Sequence, residues 1–194
     1  MNICVYCSSS EIADDIYFDE AFTLGKLIGK NNYKLVYGGA NVGLMNHLAM
    51  TVKNHKAQVH GVITQKIYDK GLGFNNANQL DITSTMHERK ASMENLADAF
   101  IVLPGGFGTL EEMLEVITLK QLGYHNKPIV IINTNNFYDK LLSFFEQVYI
   151  EKFAKEDYRM LYHIADNSFS AIDYISKYEP NVDVIDKWHK IERK

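Results

Sequence analysis

Alternation constrains this chain more than any other feature. Seven short apolar runs, ICVYC, KLVYGG, AQVHGVIT, QLDITS, AFIVLPGG, KPIVIIN and LYHIAD, recur along the sequence, and six of them lead into stretches with helical periodicity. The runs are continuously apolar rather than alternating, as in strands buried on both faces. In YFDEAFTLGKLIGKN, the residues Phe18, Phe22, Gly25, Ile28 and Gly29 share one helical face. AQVHGVIT is followed instead by DKGLGFNNAN, whose Gly and Asn content reads as a loop. Strand–helix alternation of this kind predicts a parallel sheet joined by right-handed crossovers. The expected fold class is α/β: a Rossmann-like, doubly wound parallel sheet with helices on both faces. The chain has 194 residues and no repeat, low-complexity tract or linker, so residues 1–194 are expected to form one domain.

Composition excludes several classes. A net charge of −4 argues against a nucleic-acid surface, which needs a basic face. No apolar run approaches the roughly 20 residues that span a bilayer, so no membrane partner is expected. MNICVYCSSS lacks a basic n-region and a long apolar core, so it does not read as a signal peptide, and a cytoplasmic location is expected. Cys4 and Cys7 have C-x-x-C spacing, but they fall in a strand, where residues three apart face opposite ways. They read as small apolar core residues. The seven His show no ligand spacing, and no structural metal or other cofactor is expected.

In open α/β sheets ligands gather beyond the carboxyl ends of the strands. Three predicted strand ends carry suitable chemistry: CSSS with Ser8, YGGANVGLM with Gly38 and Gly39, and PGGFGTLEE from Pro104 to Glu112. The last has the shape of a phosphate cradle. Pro104 ends the strand, Gly105, Gly106 and Gly108 let the backbone come close, and a helix is expected to start near Thr109 with its free N–H groups aimed at the turn. It is neither a Walker A loop nor a G-x-G-x-x-G fingerprint. The plain alternative is a capping box, Thr109-x-x-Glu112, which needs none of those glycines.

PGGFGTLEE resembles the PGGxGTxxE signature of the Lonely Guy family, the cytokinin riboside 5′-monophosphate phosphoribohydrolases, whose members have often been labelled lysine decarboxylases. MHERK, Met86 to Lys90, resembles that family's M-H-x-R-K, and VYGGANVGLM resembles its V-Y-G-G-G-x-x-G-L-M. The likeness covers about residues 3–150, in the family's order and spacing; CSSS replaces a usual C-G-S-S, and Ala40 replaces a third glycine. The resemblance implies a homodimeric Rossmann-like enzyme that needs no metal for its chemistry. It implies hydrolysis of the N-glycosidic bond of a purine nucleoside 5′-monophosphate, of cytokinin type or AMP, to free base and ribose 5-phosphate. Nothing in the sequence supports pyridoxal chemistry. A runner-up reading is a non-catalytic carrier of a phosphorylated ligand, resembling molybdenum cofactor carrier proteins. That role would not require the Arg89 and Glu112 pair.

The residues suit the hydrolytic reaction. Cleaving an N-glycosidic bond builds positive charge on the sugar, which a nearby carboxylate stabilises. Glu112 is expected one turn into the helix that holds the phosphate. Arg89 would stabilise the leaving purine electrostatically, since arginine stays protonated. Lys90 would hold phosphate or partner charge. Gly105, Gly106, Phe107, Gly108, Thr109 and Leu110 would form the cradle, with Glu111 beside it as a solvated or capping acid. Thr118 matches a substrate-lining position of the family, or is a core threonine. Met86 and Met93, seven apart, read as core or as a soft wall for the purine, with Met93 the better core residue. NFYDKLLSFFEQVYI carries an apolar band compatible with a dimer contact or with burial in the monomer.

Overall fold

The structure, a computed structural model, describes residues 1–180. The expectation of one domain reaching residue 194 therefore concerns, at positions 181–194, residues outside those described. All seven predicted strands form: β1 (Asn2–Tyr6), β2 (Lys34–Tyr37), β3 (Val59–Thr64), β4 (Gln79–Thr83), β5 (Ala99–Val102), β6 (Ile129–Ile132) and β7 (His163–Ala165). They make one sheet in the order β4-β3-β2-β1-β5-β6-β7, and each pairing is parallel. The chain reverses its direction of travel between β1 and β5, so the sheet is doubly wound about that point.

The helices are α1 (Asp15–Lys30), α2 (Gly43–Asn54), a short turn α3 (Gln65–Ile67), α4 (Met86–Leu96), α5 (Phe107–Gln121), α6 (Asp139–Ile150) and α7 (Ser168–Ser176). Side chains alternate across each strand, so one run feeds two cores. Ile3, Val5 and Leu35 join Leu24 and Ile28 of α1, Leu48 of α2 and Ala171 of α7. On the other face Cys4, Tyr6 and Phe100 join Met93 of α4, Met113 and Val116 of α5, and partly buried Leu141 and Phe145 of α6. Each fully buried Leu, Ile or Met contributes roughly 1.5–3 kcal/mol, which is what fastens the helices to the sheet. The cysteines sit as the strand reading expected: Cys4 in one core, Cys7 in the other, both free, their thiols pushed up by burial.

Two local expectations are corrected. The segment read as a loop, Asp69 to Asn78, opens instead with most of a π-helical turn over Tyr68–Leu72, which follows α3 and in which Gly71 takes a φ of 75°. The helix expected to begin near Thr109 begins at Phe107, with Gly106 as its N-cap and no side-chain cap bond. Thr109 is thus inside the helix and buried, and the Thr109–Glu112 capping box does not exist. A real capping arrangement starts α4 instead. Thr85 Oγ1 accepts from Glu88 N–H at 3.1 Å, and Glu88 Oε2 accepts from Ser84 N–H at 2.9 Å.

Candidate active site

A cavity of about 760 Å³ lies over the carboxyl ends of β1, β2 and β5, beside the reversal point of the sheet. Cys7 to Glu11 form one wall, and Gly38, Ala40, Val42 and Met45 another. Gly106 to Thr109 with Glu111 and Glu112 form a third, closed off by Met86, Arg89, Ile67, Lys70 and Leu72. The sheet delivers these residues because each wall is the loop, or first helical turn, after a neighbouring strand.

Arg89 and Glu112 meet at the floor. Helix α4 has no apolar stripe; it buries Arg89, Lys90 and Met93. Arg89 Nη1 donates to Glu112 Oε1 at 2.8 Å, and Arg89 Nε donates to the Val62 carbonyl at the end of β3 at 3.0 Å. Arg89 also needs room. A Cβ on Gly38 would lie 2.2 Å from Arg89 Nη2, so the first glycine of the β2 turn exists to seat the guanidinium. Burial pushes the Glu112 carboxyl above the ordinary range, and the Arg89 charge pulls it partly back. Glu112 therefore holds a proton more readily than a solvated carboxylate does.

The start of α5 is open by comparison. A Cβ on Gly105 would lie 2.1 Å from Thr109 Oγ1, so this glycine serves internal packing. Gly106 and Gly108 have no such reason: neither has a positive φ, and a Cβ on either would meet nothing within 4 Å among the described residues. The turn is anchored from beneath. Tyr138, fully buried, donates its hydroxyl to the Leu103 carbonyl at 2.8 Å, fixing the end of β5 just before Pro104. A rigid turn thus presents the first N–H groups of a fifteen-residue helix to the cavity, and the dipole of α5 makes that place favourable to an anion.

A family model described as "Possible lysine decarboxylase" matches residues 45–175. The cytokinin riboside 5′-monophosphate phosphoribohydrolase LOG of Oryza sativa subsp. japonica is 41% identical over 182 residues, covering 94% of this chain and 75% of that protein. The Arabidopsis thaliana protein of the same description, LOG2, is 39% identical over 181 residues, covering 93% of this chain and 85% of its own. The chain belongs to the Lonely Guy family. Solved structures of a molybdenum cofactor binding protein from Rippkaea orientalis (TM-score 0.69, 21% identity, 90% of this chain and 94% of that one) and of the carrier protein from Chlamydomonas reinhardtii (TM-score 0.67, 18% identity, 90% and 95%) share the fold. At such low identity that likeness concerns architecture alone.

The Lonely Guy motifs converge on the cavity, though not residue by residue. Ser8, Gly38, Met86, Arg89, Gly106, Phe107, Gly108, Thr109, Glu111 and Glu112 line it. Lys90 does not. Its ammonium is held by Glu111 and, at 2.9 Å, by Glu115, which ties α4 to α5 and raises its pKa by hydrogen bonding against the cost of burial. Gly39 does not either; its φ of 72° serves the turn, and a Cβ would press on Ile63, Leu80 and the Val62 nitrogen. Gly105 packs on Thr109, and Leu110 packs partly buried in the second core. Thr118 is exposed and donates to the Leu114 carbonyl at 2.7 Å, beside a separate small apolar pocket. Met93 is fully buried core, whereas Met86 is a half-open wall.

Sequence reasoning missed Glu11, Met45, Ile67, Lys70 and Leu72, which line the cavity from segments read as strand end, helix or loop. Nor do the residues suit the pyridoxal group that a decarboxylase label brings to mind. A Schiff-base lysine needs a lowered pKa. Of the lysines nearest the cavity, Lys90 is raised and bound by two carboxylates, and Lys70 stands exposed on the π-helical turn.

Proposed function

We propose that this chain hydrolyses the N-glycosidic bond of purine nucleoside 5′-monophosphates, of AMP or N6-substituted cytokinin type, giving free base and ribose 5-phosphate. One observation carries the reading: a buried Arg89–Glu112 pair stands about one and a half helical turns from a helix start that, among the described residues, has no side-chain cap and two glycines bordering open space. The 5′-phosphate docks on the N–H groups of Phe107, Gly108 and Thr109. The sugar then lies against Glu112, whose Oε1 is fixed by Arg89 while Oε2 makes no bond among the described residues. As the glycosidic bond breaks, its electron pair leaves with the purine and the sugar gains positive charge, which the carboxylate stabilises. Glu112 takes a proton from water as the oxygen adds to the sugar carbon, and the proton ends on the departing base. Arg89 holds Glu112 and offers charge to the base. The relatives bear the name of this activity, which supports the same reading here.

We further propose a homodimer. Among the described residues α6 buries Tyr149 alone, while Phe144 (61% exposed) and Ile150 (68% exposed) stand open on it and Phe153 (86% exposed) follows it, the kind of exposed apolar side chains that support a protein–protein contact. Free thiols and a nucleotide substrate fit a cytoplasmic location. Chromatography of purified protein incubated with AMP and with N6-isopentenyl-AMP tests the activity. Release of free base supports it, and intact nucleotide at stoichiometric enzyme overturns it. Sedimentation tests the dimer.

A further inference from the structure

Two helix N-termini face one cavity, and the chain fills one of them itself. Helix α2 starts after Val42, which supplies no side-chain cap. Gly43 N–H instead donates to Glu11 Oε1 at 2.6 Å, from thirty-two residues earlier in the sequence. The attachment is close. Gly43 takes a φ of 56°, and a Cβ there would lie 2.5 Å from the Ser9 carbonyl carbon. In the sheet β1 lies between β2 and β5, so the loop after β1 stands between the start of α2 and the start of α5. Glu11 lines the same cavity as Gly106 and Gly108.

A ligand with one phosphate needs one such anion seat, and the α5 turn supplies it. A second phosphate would need another set of donors. The other helix start in the cavity is that of α2, where a carboxylate already sits. Of the cations in the walls, Arg89 is engaged with Glu112 and the Val62 carbonyl, and Lys70 is exposed, as Glu11 is, so that screening weakens both charges alike. Glu111 and Glu112 add like charge to the same space.

We propose that Glu11 is a specificity-determining residue: its carboxylate serves as the internal anion of α2 and rejects nucleotides that carry a second phosphate. The proposal rests on the phosphoribohydrolase reading for the placement of the first phosphate. Discrimination here comes from a repulsive element built against the wrong ligand, rather than from added attraction to the right one.

Titration calorimetry with AMP and ADP tests it, using Glu112→Gln protein, in which turnover is expected to be suppressed, and the Glu112→Gln/Glu11→Gln double variant. Glutamine still accepts the Gly43 N–H, so α2 stays capped while the charge is gone. The single variant is expected to bind AMP about tenfold more tightly than ADP, through repulsion between Glu11 and the second phosphate. In the double variant the gap should narrow to about threefold through tighter ADP binding. An unchanged ratio, or equal binding of AMP and ADP by the single variant, overturns the proposal. Glu11→Ala separates a merely structural role: if Glu11 only caps α2, alanine lowers the melting temperature and glutamine leaves the ratio where it was. Base release from AMP by the wild-type enzyme is read separately. No release alongside a shifted ratio sinks the hydrolytic reading and keeps Glu11; release alongside an unchanged ratio sinks Glu11 alone.

Discussion

The turns after β2 and after β5 look alike in sequence, GGANVG and GGFG, and the structure uses them in opposite ways. The first is closed by its own chain. Gly38 makes room for the Arg89 guanidinium, Gly39 and Gly43 have positive φ, and the helix start is answered by Glu11. The second is open: among the described residues nothing fills the space beside Gly106 and Gly108, and no side chain caps the helix. Glycine in the closed turn therefore sets catalytic geometry, whereas glycine in the open turn admits a ligand. If that division is right, substitutions in the two turns must fail differently.

The largest expected effect belongs to the open turn. Two or three charge-assisted hydrogen bonds from α5, at roughly 1.5–3 kcal/mol each before desolvation, should favour AMP over adenosine by about 10³ or more in kcat/KM. Part of this should appear in kcat, because a phosphate remote from the breaking bond can fix the sugar against Glu112. Base release from the two substrates under identical conditions is the measurement. Equal rates would mean that the α5 start is not the phosphate seat, and the contrast between the turns would collapse.

Next in size is the pair that both turns serve. Glu112→Gln should fold and lose on the order of 10²–10³ in kcat, as removal of a transition-state charge partner does. Arg89→Ala should do the same, and Arg89→Lys should not rescue it, since an ammonium cannot reach both Glu112 and the Val62 carbonyl as the planar fork does. Burial raises the Glu112 carboxyl, so wild-type activity should fall with decreasing pH along a limb lying above the ordinary carboxylate range. The residual activity of Glu112→Gln should lack that limb. For stability the sign is opposite. The protonated form is the one favoured by folding, so this group's contribution is present at low pH and is lost as pH rises through its folded value. A limb at the ordinary value would show that Glu112 is solvated during turnover.

Gly38→Ala tests the closed turn alone. The new methyl would collide with the far end of a flexible side chain, so the fold should survive while the guanidinium moves. Displacing a catalytic group by about 1 Å can cost roughly 10² in rate. We expect kcat to fall by about that factor with KM for AMP within about threefold of wild type. A raised KM with normal kcat would assign Gly38 to ligand binding and erase the distinction from Gly106.

Much of the fold was legible because its strands are short, continuously apolar and separated by helical stretches; even Cys4 and Cys7 fell on the two faces that strand periodicity requires. The pair at the heart of the site was legible through the MHERK and PGGFGTLEE resemblance. What escaped was whatever depends on contacts distant in sequence. Nothing near Glu11 announces that it will cap a helix thirty-two residues on. Lys90 reads as a free cation until α5 brings Glu111 and Glu115 to it. Thr118 lies six residues past Glu112, roughly 240° around the helix, so it turns away from the cavity that Glu112 enters. The start of α5 was misplaced for a local reason. A helix whose N-cap is glycine carries no side-chain signature, and Thr109 took the eye because threonine so often caps.

The smallest expected effect is also the one that separates the turns most cleanly. Gly108 lies inside the first turn of α5, with helical backbone and open space where a Cβ would go. Alanine is better than glycine in a helix by roughly 0.5–1 kcal/mol, so Gly108→Ala should stabilise the ligand-free protein. In a domain of this size that corresponds to a rise of about 1–4 °C in melting temperature. The same methyl should occupy space on the side from which the phosphate approaches. KM for AMP should therefore rise, and the preference for AMP over adenosine should shrink by about tenfold, while turnover of adenosine stays near wild type. Gly38→Ala should show the reverse: no gain in stability, preserved phosphate preference and a lower kcat. Thermal unfolding and the two-substrate assay on both variants decide between them. A Gly108→Ala enzyme that is more stable and still prefers AMP as strongly as wild type would place the phosphate away from α5, leaving two closed turns rather than one closed and one open.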